Sequence, residues 1–383
     1  MSIYLDYNAS ALVRPQVLAA VTDALTDGGN PSAIHALGRK ARARVETARA
    51  QVAALVGADS QAVIFSSGGT ESNGQGLASA IAAGCERLIV GATEHPCVLE
   101  AAVASGLPVK MLPVDANGVI QPGKLSELLR APGRAVVAIH HANNESGVIQ
   151  PIATAARIVR EAGGWLHVDA VQSAGKIAVD MRVLGADSLT LSAHKLGGPQ
   201  GVGALVMGAG RTAVAVVHGA GQERGLRGGT ENVAGITGFG LAAELSAAEL
   251  PTVEAHRAWR DAAETVVTAH GATVIGAGAD RLPNTLFTAV ADWDSPQQVI
   301  TLDLGGIMVS AGSACSSGKT KPSRAILATG RSDLATGGMR ASGGWATTEA
   351  DWIAFALAWS TAYDRHRARG AERKASNVER KVA

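Results

Sequence analysis

The feature that most constrains the fold is a regular alternation, between residues 62 and 207, of short apolar runs with segments of helical periodicity. The segment 152–162, for example, places its apolar residues on one face of a helix. Such alternation predicts parallel strands joined by helical crossovers, and it places ligands beyond the carboxyl ends of the strands. The apolar runs predicted to be strands are 62–66, 87–90, 109–114, 135–140, 165–169, 188–192 and 203–207.

The pattern changes after residue 254. Helices are predicted at 255–269, 296–304 and 348–363, and further apolar runs at 272–275, 285–290 and 307–310. The chain has 383 residues, and domains of about 100 to 200 residues make two domains the natural expectation. We therefore expect an α/β fold with a large domain at 15–254, built on a mainly parallel central sheet flanked by helices. A smaller α+β domain is expected from 1–14 and 255–383, ending in a frayed, solvated basic tail after residue 364.

Composition excludes several classes of protein. Apolar residues make up 47% of the chain, which excludes disorder and a coiled coil as descriptions of the whole molecule. The formal net charge is +1, so there is no electrostatic basis for binding nucleic acid or a membrane surface. The N-terminus lacks the basic start and apolar core of a secretory signal, and no run reaches about 18 apolar residues. We therefore expect a cytoplasmic protein.

Cysteine occurs three times, at positions 85, 97 and 315, without a C-x-x-C pair. This fits neither a disulfide framework nor a zinc knuckle, and we expect no metal site. Cys315 follows an apolar run in a loop of small residues, 310–318, where a thiol can be exposed and mobile. Cys85 and Cys97 stand beside apolar or helical residues, a setting typical of small buried hydrophobic side chains. Cys315 is therefore the candidate nucleophile, although a lone cysteine also fits a packing role.

The motif Gly-Gly-Thr-Glu-Ser-Asn at 68–73 follows the first predicted strand and opens a helix. A helix start reached through glycines offers free N–H groups and a positive dipole end, which suit a phosphate. Gly69 and Thr70 are the candidate ligands. Taken alone, the same turn is equally typical of a helix capped by Thr70.

Two later apolar runs end in an acid, Asp169, and an amine, Lys195. Pyridoxal phosphate requires both groups, a carboxylate to keep its ring nitrogen protonated and a lysine to bind its aldehyde. Between Lys124 and Lys319 only Lys176 and Lys195 occur, and Lys195 alone lies between a strand end and a glycine turn. Either the acid or the amine by itself is more typical of a structural residue.

Further polar residues follow other strand ends. His95 follows 87–90 and Asn144 follows 135–140; an imidazole can stack on a ring and shuttle protons, and an amide can donate to a ring oxygen. Arg340 follows two glycines and can grip a carboxylate with its planar fork. Each of these residues alone also fits a structural or surface role. Their convergence at successive strand ends favours a common site.

At this point the chain resembles a known family, the pyridoxal-phosphate cysteine desulfurases. The resemblance implies the fold-type I aminotransferase architecture of the class V branch, acting as a homodimer. The motifs that carry it, in the family's order, are Asp6-Tyr-Asn-Ala9, Gly68-Gly-Thr-Glu-Ser-Asn73, Glu94-His95, Asn143-Asn-Glu-x-Gly147, His167-x-Asp-x-x-Gln172, Ser192-x-His-Lys195, Gln222-Glu-Arg-Gly-Leu-Arg-Gly-Gly-Thr-Glu-Asn232 and Gly312-Ser-Ala-Cys315.

The resemblance also implies roles for individual residues. Lys195 is similar to the Schiff-base lysine, Asp169 to the partner of the pyridine nitrogen, and His95 to the residue stacked on the ring. Cys315 resembles the persulfide carrier and Arg340 the anchor of the substrate carboxylate. Gln172 and Asn144 correspond to residues on the ring-oxygen and substrate side. The implied phosphate ligands are Gly69, Thr70, Ser192 and His194, with Thr230 from the other subunit.

The activity implied is conversion of L-cysteine to L-alanine, with sulfur passing to Cys315 as a persulfide and then to an acceptor such as an iron–sulfur assembly protein. A related class V enzyme, an aminotransferase or a selenocysteine lyase, shares every cofactor residue, so only Cys315 and its loop separate these readings. A Rossmann-type nucleotide-binding module is disfavoured, because no acidic residue is well placed about 20 positions beyond a phosphate turn after the first strand.

Overall fold

The structure, a computed structural model, describes residues 2–312 and 322–382, with side chains up to residue 372. The strands are β1 Ile3–Tyr4, β2 Val63–Ser66, β3 Arg87–Gly91, β4 Val109–Leu112, β5 Ala135–His140, β6 Trp165–Asp169, β7 Ser188–Ser192, β8 Gly203–Met207, β9 Thr273–Val274, β10 Thr285–Ala289, β11 Ile307–Met308 and β12 Gly338–Ser342. The helices are α1 Pro15–Asp27, α2 Ala36–Leu55, α3 Gly69–Ala82, α4 Pro96–Ala104, α5 Pro122–Leu129, α6 Ile152–Glu161, α7 Met181–Leu184, α8 Val233–Ala248, α9 Leu250–Ala269, α10 Ser295–Leu304, α11 Arg324–Ala328 and α12 Glu349–Val382.

A seven-stranded sheet forms the centre of the fold, in the order β2-β8-β7-β6-β5-β3-β4. Strands β4, β3, β5, β6 and β7 pair in parallel, whereas β8 is antiparallel to both of its neighbours, β7 and β2. Because β2 and β7 both oppose β8, they point the same way. The prediction of a mainly parallel sheet is confirmed, and the carboxyl ends of six strands meet at one edge.

Helices cover both faces of this sheet. One face packs Val52, Leu189 and Phe239 into its core, and the other packs Ile64 and Trp165. Strands β5 to β8 are buried along their whole length, which explains why β5 and β8 are nearly continuous apolar runs. Strand β7 instead alternates Ser or Thr with Leu, although all of its residues are buried. The sheet therefore holds its carboxyl-end loops on a rigid base.

The remaining strands form two small sheets. One is antiparallel, in the order β12-β10-β9, and the other is the parallel pair β1-β11. The pairing of β1 with β11 brings the N-terminus against the C-terminal third of the chain, beside a separate core that contains Trp352 and Trp359. The predicted boundary at residue 254 falls within α9, and the division into two domains stays a prediction.

The last helix differs from expectation. It begins at Glu349, close to the predicted start, but continues to Val382 instead of ending near Tyr363. The expected frayed tail is therefore wrong for these residues, because 365–382 are rich in Ala, Arg, Lys and Glu, which favour helix. Among the described residues no single helix has the length and apolar composition needed to cross a membrane, and the bent pair α8 and α9, at 65°, meets that test only jointly.

Candidate active site

The start of α3 meets the end of β7 at the sheet edge. Ser66, which ends β2, pairs with Gly203, and Gly203 also pairs with Ser192, which ends β7. The turn after β2 passes so close that a Cβ on Gly203 would lie 2.6 Å from the carbonyl carbon of Gly68, which itself has φ +156°. These two glycines allow the first turn of α3, whose backbone N–H groups have no partner within the helix, to lie beside the end of β7.

Three of the predicted phosphate ligands lie at this junction. A Cβ on Gly69 would lie 3.8 Å from the Cβ of Ser192, and Thr70 is exposed in the first turn of α3. His194 contacts Ser10, with its Nδ1 3.2 Å from the Ser10 hydroxyl. Burial, together with Lys195 and Lys176, lowers the pKa of His194 to about 4, so this imidazole is neutral near pH 7.

Asp169 ends β6 as a buried carboxylate. Its Oδ1 accepts from the backbone N–H of Val171 at 2.9 Å, and its Oδ2 accepts from the amide of Asn73 at 2.8 Å. Asn73 comes from α3, so a side chain of the phosphate turn also orients the acid. The arrangement leaves the Asp169 carboxylate fixed at the strand end.

Lys195 lies one short turn beyond β7. Its Nζ donates to the carbonyl oxygens of Asn8 at 2.6 Å and Ala9 at 2.8 Å. Burial, reinforced by the positive charge of Arg340, lowers the pKa of Lys195 from 10.5 to about 8. An amine with this pKa has an appreciable uncharged fraction near neutral pH, as nucleophilic attack on an aldehyde requires.

His95 caps α4 and lies at the same edge. Its Nδ1 accepts from the backbone N–H of Cys97 at 3.2 Å and lies 3.0 Å from the Cys97 sulfur. Desolvation and the nearby Lys195 lower the pKa of His95, against the opposing effect of Asp169 and Glu94. Cys97 is partly buried against the apolar cluster that contains Cys85, as its sequence setting indicated, and it also contacts His95. Cys85 is fully buried, as expected.

Gln172 connects this edge to the N-terminal segment. Its amide nitrogen donates to the carbonyl of Asn8 at 2.9 Å, and its Oε1 accepts from Lys176 at 2.7 Å. Lys176 also donates to the Asn8 side chain at 2.8 Å. Burial, with Lys195 and Arg340 nearby, holds the pKa of Lys176 well below its ordinary value.

Arg340, in β12, faces the site from the C-terminal sheet. Its guanidinium forms an ion pair with Asp6 and donates to the carbonyl of Asn144 at 2.9 Å. The side chain is buried, and its Nε has no hydrogen-bond partner among the described residues. The backbone of Arg340 exchanges two hydrogen bonds with Ser310, so the chain leading toward the small-residue loop starts beside it.

Two predicted residues lie apart from this cluster or beyond the description. Thr230 is exposed, and its side chain makes no hydrogen bond within the described part of the chain. Cys315 lies outside the described residues. Across 2–312 and 322–372, no group of three or more His, Cys, Asp or Glu side chains could hold a metal ion.

Comparison with known proteins places this geometry in a family. The aminotransferase class-V family model matches residues 3–355. Cysteine desulfurase IscS of Dictyoglomus turgidum is 39% identical over 360 residues, 91% of each chain. The chain belongs to the cysteine desulfurase family. A desulfurase of Trichormus azollae is also 39% identical, over 86% of this chain and 84% of its own, and the NifS-like protein of Rickettsia africae superposes with a TM-score of 0.87 at 30% identity, covering 95% of this chain and all of that one.

Cysteine desulfurases are pyridoxal-phosphate enzymes, and the donor set at the sheet edge fits that cofactor. A partly uncharged lysine suits an aldehyde, a fixed carboxylate suits a pyridine nitrogen, and an open helix start beside hydroxyl groups suits a phosphate. These groups are Lys195, Asp169 and the junction of α3 with Ser192. The cofactor therefore matches side chains that the structure brings together.

Sequence reasoning missed several residues that complete this edge. Asn8 and Asn73 stand out in the sequence only as members of motifs, without a role of their own. Lys176 stands out only as the other lysine in the region of Lys195, and Cys97 only as a small apolar side chain. The signal for Asn8 and Asn73 was present, because both belong to motifs shared with the family. Nothing in the sequence shows that residues 8 and 176, which are 168 positions apart, share a hydrogen bond.

Proposed function

We propose that the chain converts L-cysteine to L-alanine, transferring the sulfur to Cys315 as a persulfide for delivery to a sulfur acceptor such as an iron–sulfur assembly protein. One observation carries the proposal: Lys195, Asp169, His95 and Arg340 converge at one edge in a chain whose relatives are named cysteine desulfurases. We also infer that the enzyme is a cytoplasmic homodimer that needs neither nucleic acid nor membrane.

The cofactor would be held at both ends. Asp169 would hold the pyridine nitrogen, and His95 would lie against the ring. Gln172 and Asn144 would serve the ring oxygen and the substrate side. The N-terminus of α3 and the side chains of Thr70, Ser192, His194 and, from the other subunit, Thr230 would hold the phosphate. When bound, pyridoxal phosphate supplies an electron sink for bonds broken at the substrate carbon atoms.

Lys195 is the base that removes the α-proton of the substrate and the acid that returns it. Its Nζ has a pKa of about 8 because the site is buried and Arg340 is near, so it can accept a proton near neutral pH and return it. The carbonyls of Asn8 and Ala9 hold the amine when it is charged. These two hydrogen bonds fix the orientation of the Lys195 side chain without an ion pair to the Nζ among the described residues.

Arg340 anchors the substrate carboxylate. Its guanidinium is held by Asp6 and by the carbonyl of Asn144, and its Nε is a buried donor without an acceptor among the described residues. A guanidinium buried to this extent binds a carboxylate strongly, because the site excludes competing water. We infer that Arg340 selects amino acids with a free carboxylate over other amines.

Sulfur transfer then balances as a reaction between two thiols. The Cys315 sulfur forms an S–S bond to the substrate sulfur as the substrate C–S bond breaks, and the carbon keeps the electron pair and is protonated to give alanine. The resulting persulfide on Cys315 is oxidised relative to a thiol, and the carbon is correspondingly reduced. This assignment of Cys315 rests on its motif alone.

A product assay separates this activity from the alternatives. Cofactor-loaded enzyme given L-cysteine and a thiol reductant is expected to release alanine and sulfide in equal amounts. Lys195→Ala should lose both products, and Lys124→Ala, at an exposed lysine paired with Glu127, should keep them. An aminotransferase would instead pass the amino group to an oxo acid, and a selenocysteine lyase would act on selenocysteine with little turnover of cysteine; either result would overturn the proposal.

A further inference from the structure

A continuous chain of hydrogen bonds runs beneath the candidate active site. The indole of Trp165 donates to Ser188 at 3.0 Å, and the Ser188 hydroxyl lies 2.8 Å from Nδ1 of His167. His167 Nε2 lies 2.9 Å from the side-chain oxygen of Asn73. These four residues are all buried, so each polar atom depends on its neighbour in the chain.

The direction of donation in this chain is fixed at both ends. An indole N–H can only donate, so the Ser188 hydroxyl is free to donate onward to Nδ1 of His167. Burial lowers the pKa of His167 to about 4, which makes the ring neutral, with its single proton on Nε2 facing Asn73. The oxygen of Asn73 therefore accepts, and its amide nitrogen must donate.

The amide nitrogen of Asn73 donates hydrogen bonds to two residues of the candidate site. Its Nδ2 donates to Oδ2 of Asp169 at 2.8 Å and reaches the Cys97 sulfur at 3.5 Å. Burial and the charge of Asp169 raise the pKa of Cys97 to about 11, so the group remains a thiol at neutral pH. The Thr70 side chain also hydrogen-bonds the Cys97 sulfur, and it acts there as a donor because it lowers the pKa of the thiol. Nδ1 of His95, 3.0 Å from the sulfur, already accepts from the backbone N–H of Cys97, so it is the acceptor toward which the thiol proton points.

We propose, on the basis of the proposed function, that Cys97 is a positioning residue that fixes His95 as the neutral tautomer carrying its proton on Nε2. Two donors, the thiol and the backbone N–H of Cys97, point at Nδ1 of His95, so a proton on that nitrogen is excluded. Cys97 thereby ties the ring that would stack on the cofactor to Asn73, which holds Asp169. The thiol acts through His95 and touches no reacting atom.

The test reads the tautomer of His95 directly. In full-length chain labelled with ¹⁵N-histidine, before and after cofactor loading, His95 is assigned by the signal lost in His95→Gln. The parent should show the Nε2–H pattern. Cys97→Ala should change the ratio of the two tautomers about fivefold toward Nδ1–H, the factor expected for one neutral hydrogen bond, whereas Cys97→Ser, which keeps a donor, should restore the parent pattern.

Asp169, Glu94 and Lys195 also act on His95, and all three are retained in the Cys97 variants, so they do not account for a difference between those variants. A second variant controls for the loss of a buried thiol as such. Cys85→Ala removes a buried thiol that makes no contact with His95 and should leave the signal unchanged. An unchanged tautomer ratio in Cys97→Ala would overturn the proposal, because it would mean that the backbone N–H suffices. An Nδ1–H pattern in the parent would overturn it as well. Neither readout requires desulfurase turnover, so failure here is distinct from failure of the proposed function.

Discussion

At the scale of single residues, Lys195 shows how burial prepares an amine for chemistry. Its Nζ donates to two carbonyl oxygens, and the charge with the largest effect on its pKa is the guanidinium of Arg340, which outweighs either of the opposing carboxylates, Asp169 and Asp6. Desolvation and like charge both disfavour the ammonium form. The lysine is therefore both anchored and easily deprotonated.

The lowered pKa of Lys195 sets the pH dependence of cofactor capture. Only the uncharged amine attacks an aldehyde, so capture of pyridoxal phosphate by the cofactor-free chain should quicken as pH rises and level off above about 8, where the pKa of Lys195 lies. Stopped-flow absorbance of the lysine-bound cofactor would measure this. Arg340→Met removes the like charge and should move the midpoint to higher pH. A parent midpoint near the ordinary lysine value of 10.5 would contradict the assigned environment.

The positions of site residues were predictable where the residue follows the end of a strand. Asp169, Lys195 and His95 follow strand ends, and parallel strands bring such residues to one edge. Lys176 and Cys97 were not predictable in the same way, because their importance lies in contacts with Asn8 and His95. Those contacts depend on how the N-terminal segment docks and on rotamers, neither of which leaves a periodic signal.

At the scale of elements, the strands buried on both faces were predicted most accurately. The bounds of β5 to β8 match the predicted runs residue for residue, because every position of these strands is buried and the four strands together are mainly apolar. The two-residue strands β9 and β11 are shorter than their apolar runs, since they pair with only two residues of a neighbour. Local composition cannot reveal where a partner strand ends.

Helix α3 provides a matched pair of substitutions. A Cβ on Gly76 would lie 2.4 Å from Cε1 of His167, a buried ring held through both nitrogens, whereas a Cβ on Gly74 meets nothing within 4 Å. Gly76→Ala should therefore destabilise the fold by about 1 to 3 kcal/mol. Gly74→Ala should stabilise it by up to about 1 kcal/mol through helix propensity. Denaturant unfolding of both variants measures this, and equal effects would contradict the packing of His167 against α3.

At the scale of the whole molecule, the inferred dimer makes a definite demand on Thr230. The residue is exposed in this subunit, close in sequence to a turn in which Glu223 and Arg224 adopt left-handed conformations. Glu223 holds that turn through a buried ion pair with Arg49. An exposed Thr230 hydroxyl a few residues beyond this anchored turn is consistent with a ligand bound mainly by another subunit.

Mixed dimers test this arrangement. A dimer of one Lys195→Ala chain and one Thr230→Ala chain contains one intact site if Thr230 reaches across, and none if it acts within its own chain. The remaining lysine should then bind pyridoxal phosphate with parent affinity, measured by equilibrium absorbance titration of doubly tagged dimers. If Thr230 acts within its own chain, affinity should be about 10- to 100-fold weaker, the loss of one hydrogen bond to a charged group.

We expect sulfur to pass to Cys315 and to no other cysteine of the chain. Cys85 is buried in an apolar cluster, and the pKa of Cys97 is raised to about 11, so neither is a good nucleophile at neutral pH. Mass spectrometry of peptides from cofactor-loaded enzyme after exposure to L-cysteine tests the claim most directly. A one-sulfur adduct is expected on Cys315, and it should be lost together with alanine formation in Cys315→Ser and retained in Cys85→Ser. An adduct confined to Cys85 or Cys97, or normal alanine formation by Cys315→Ser, would contradict it.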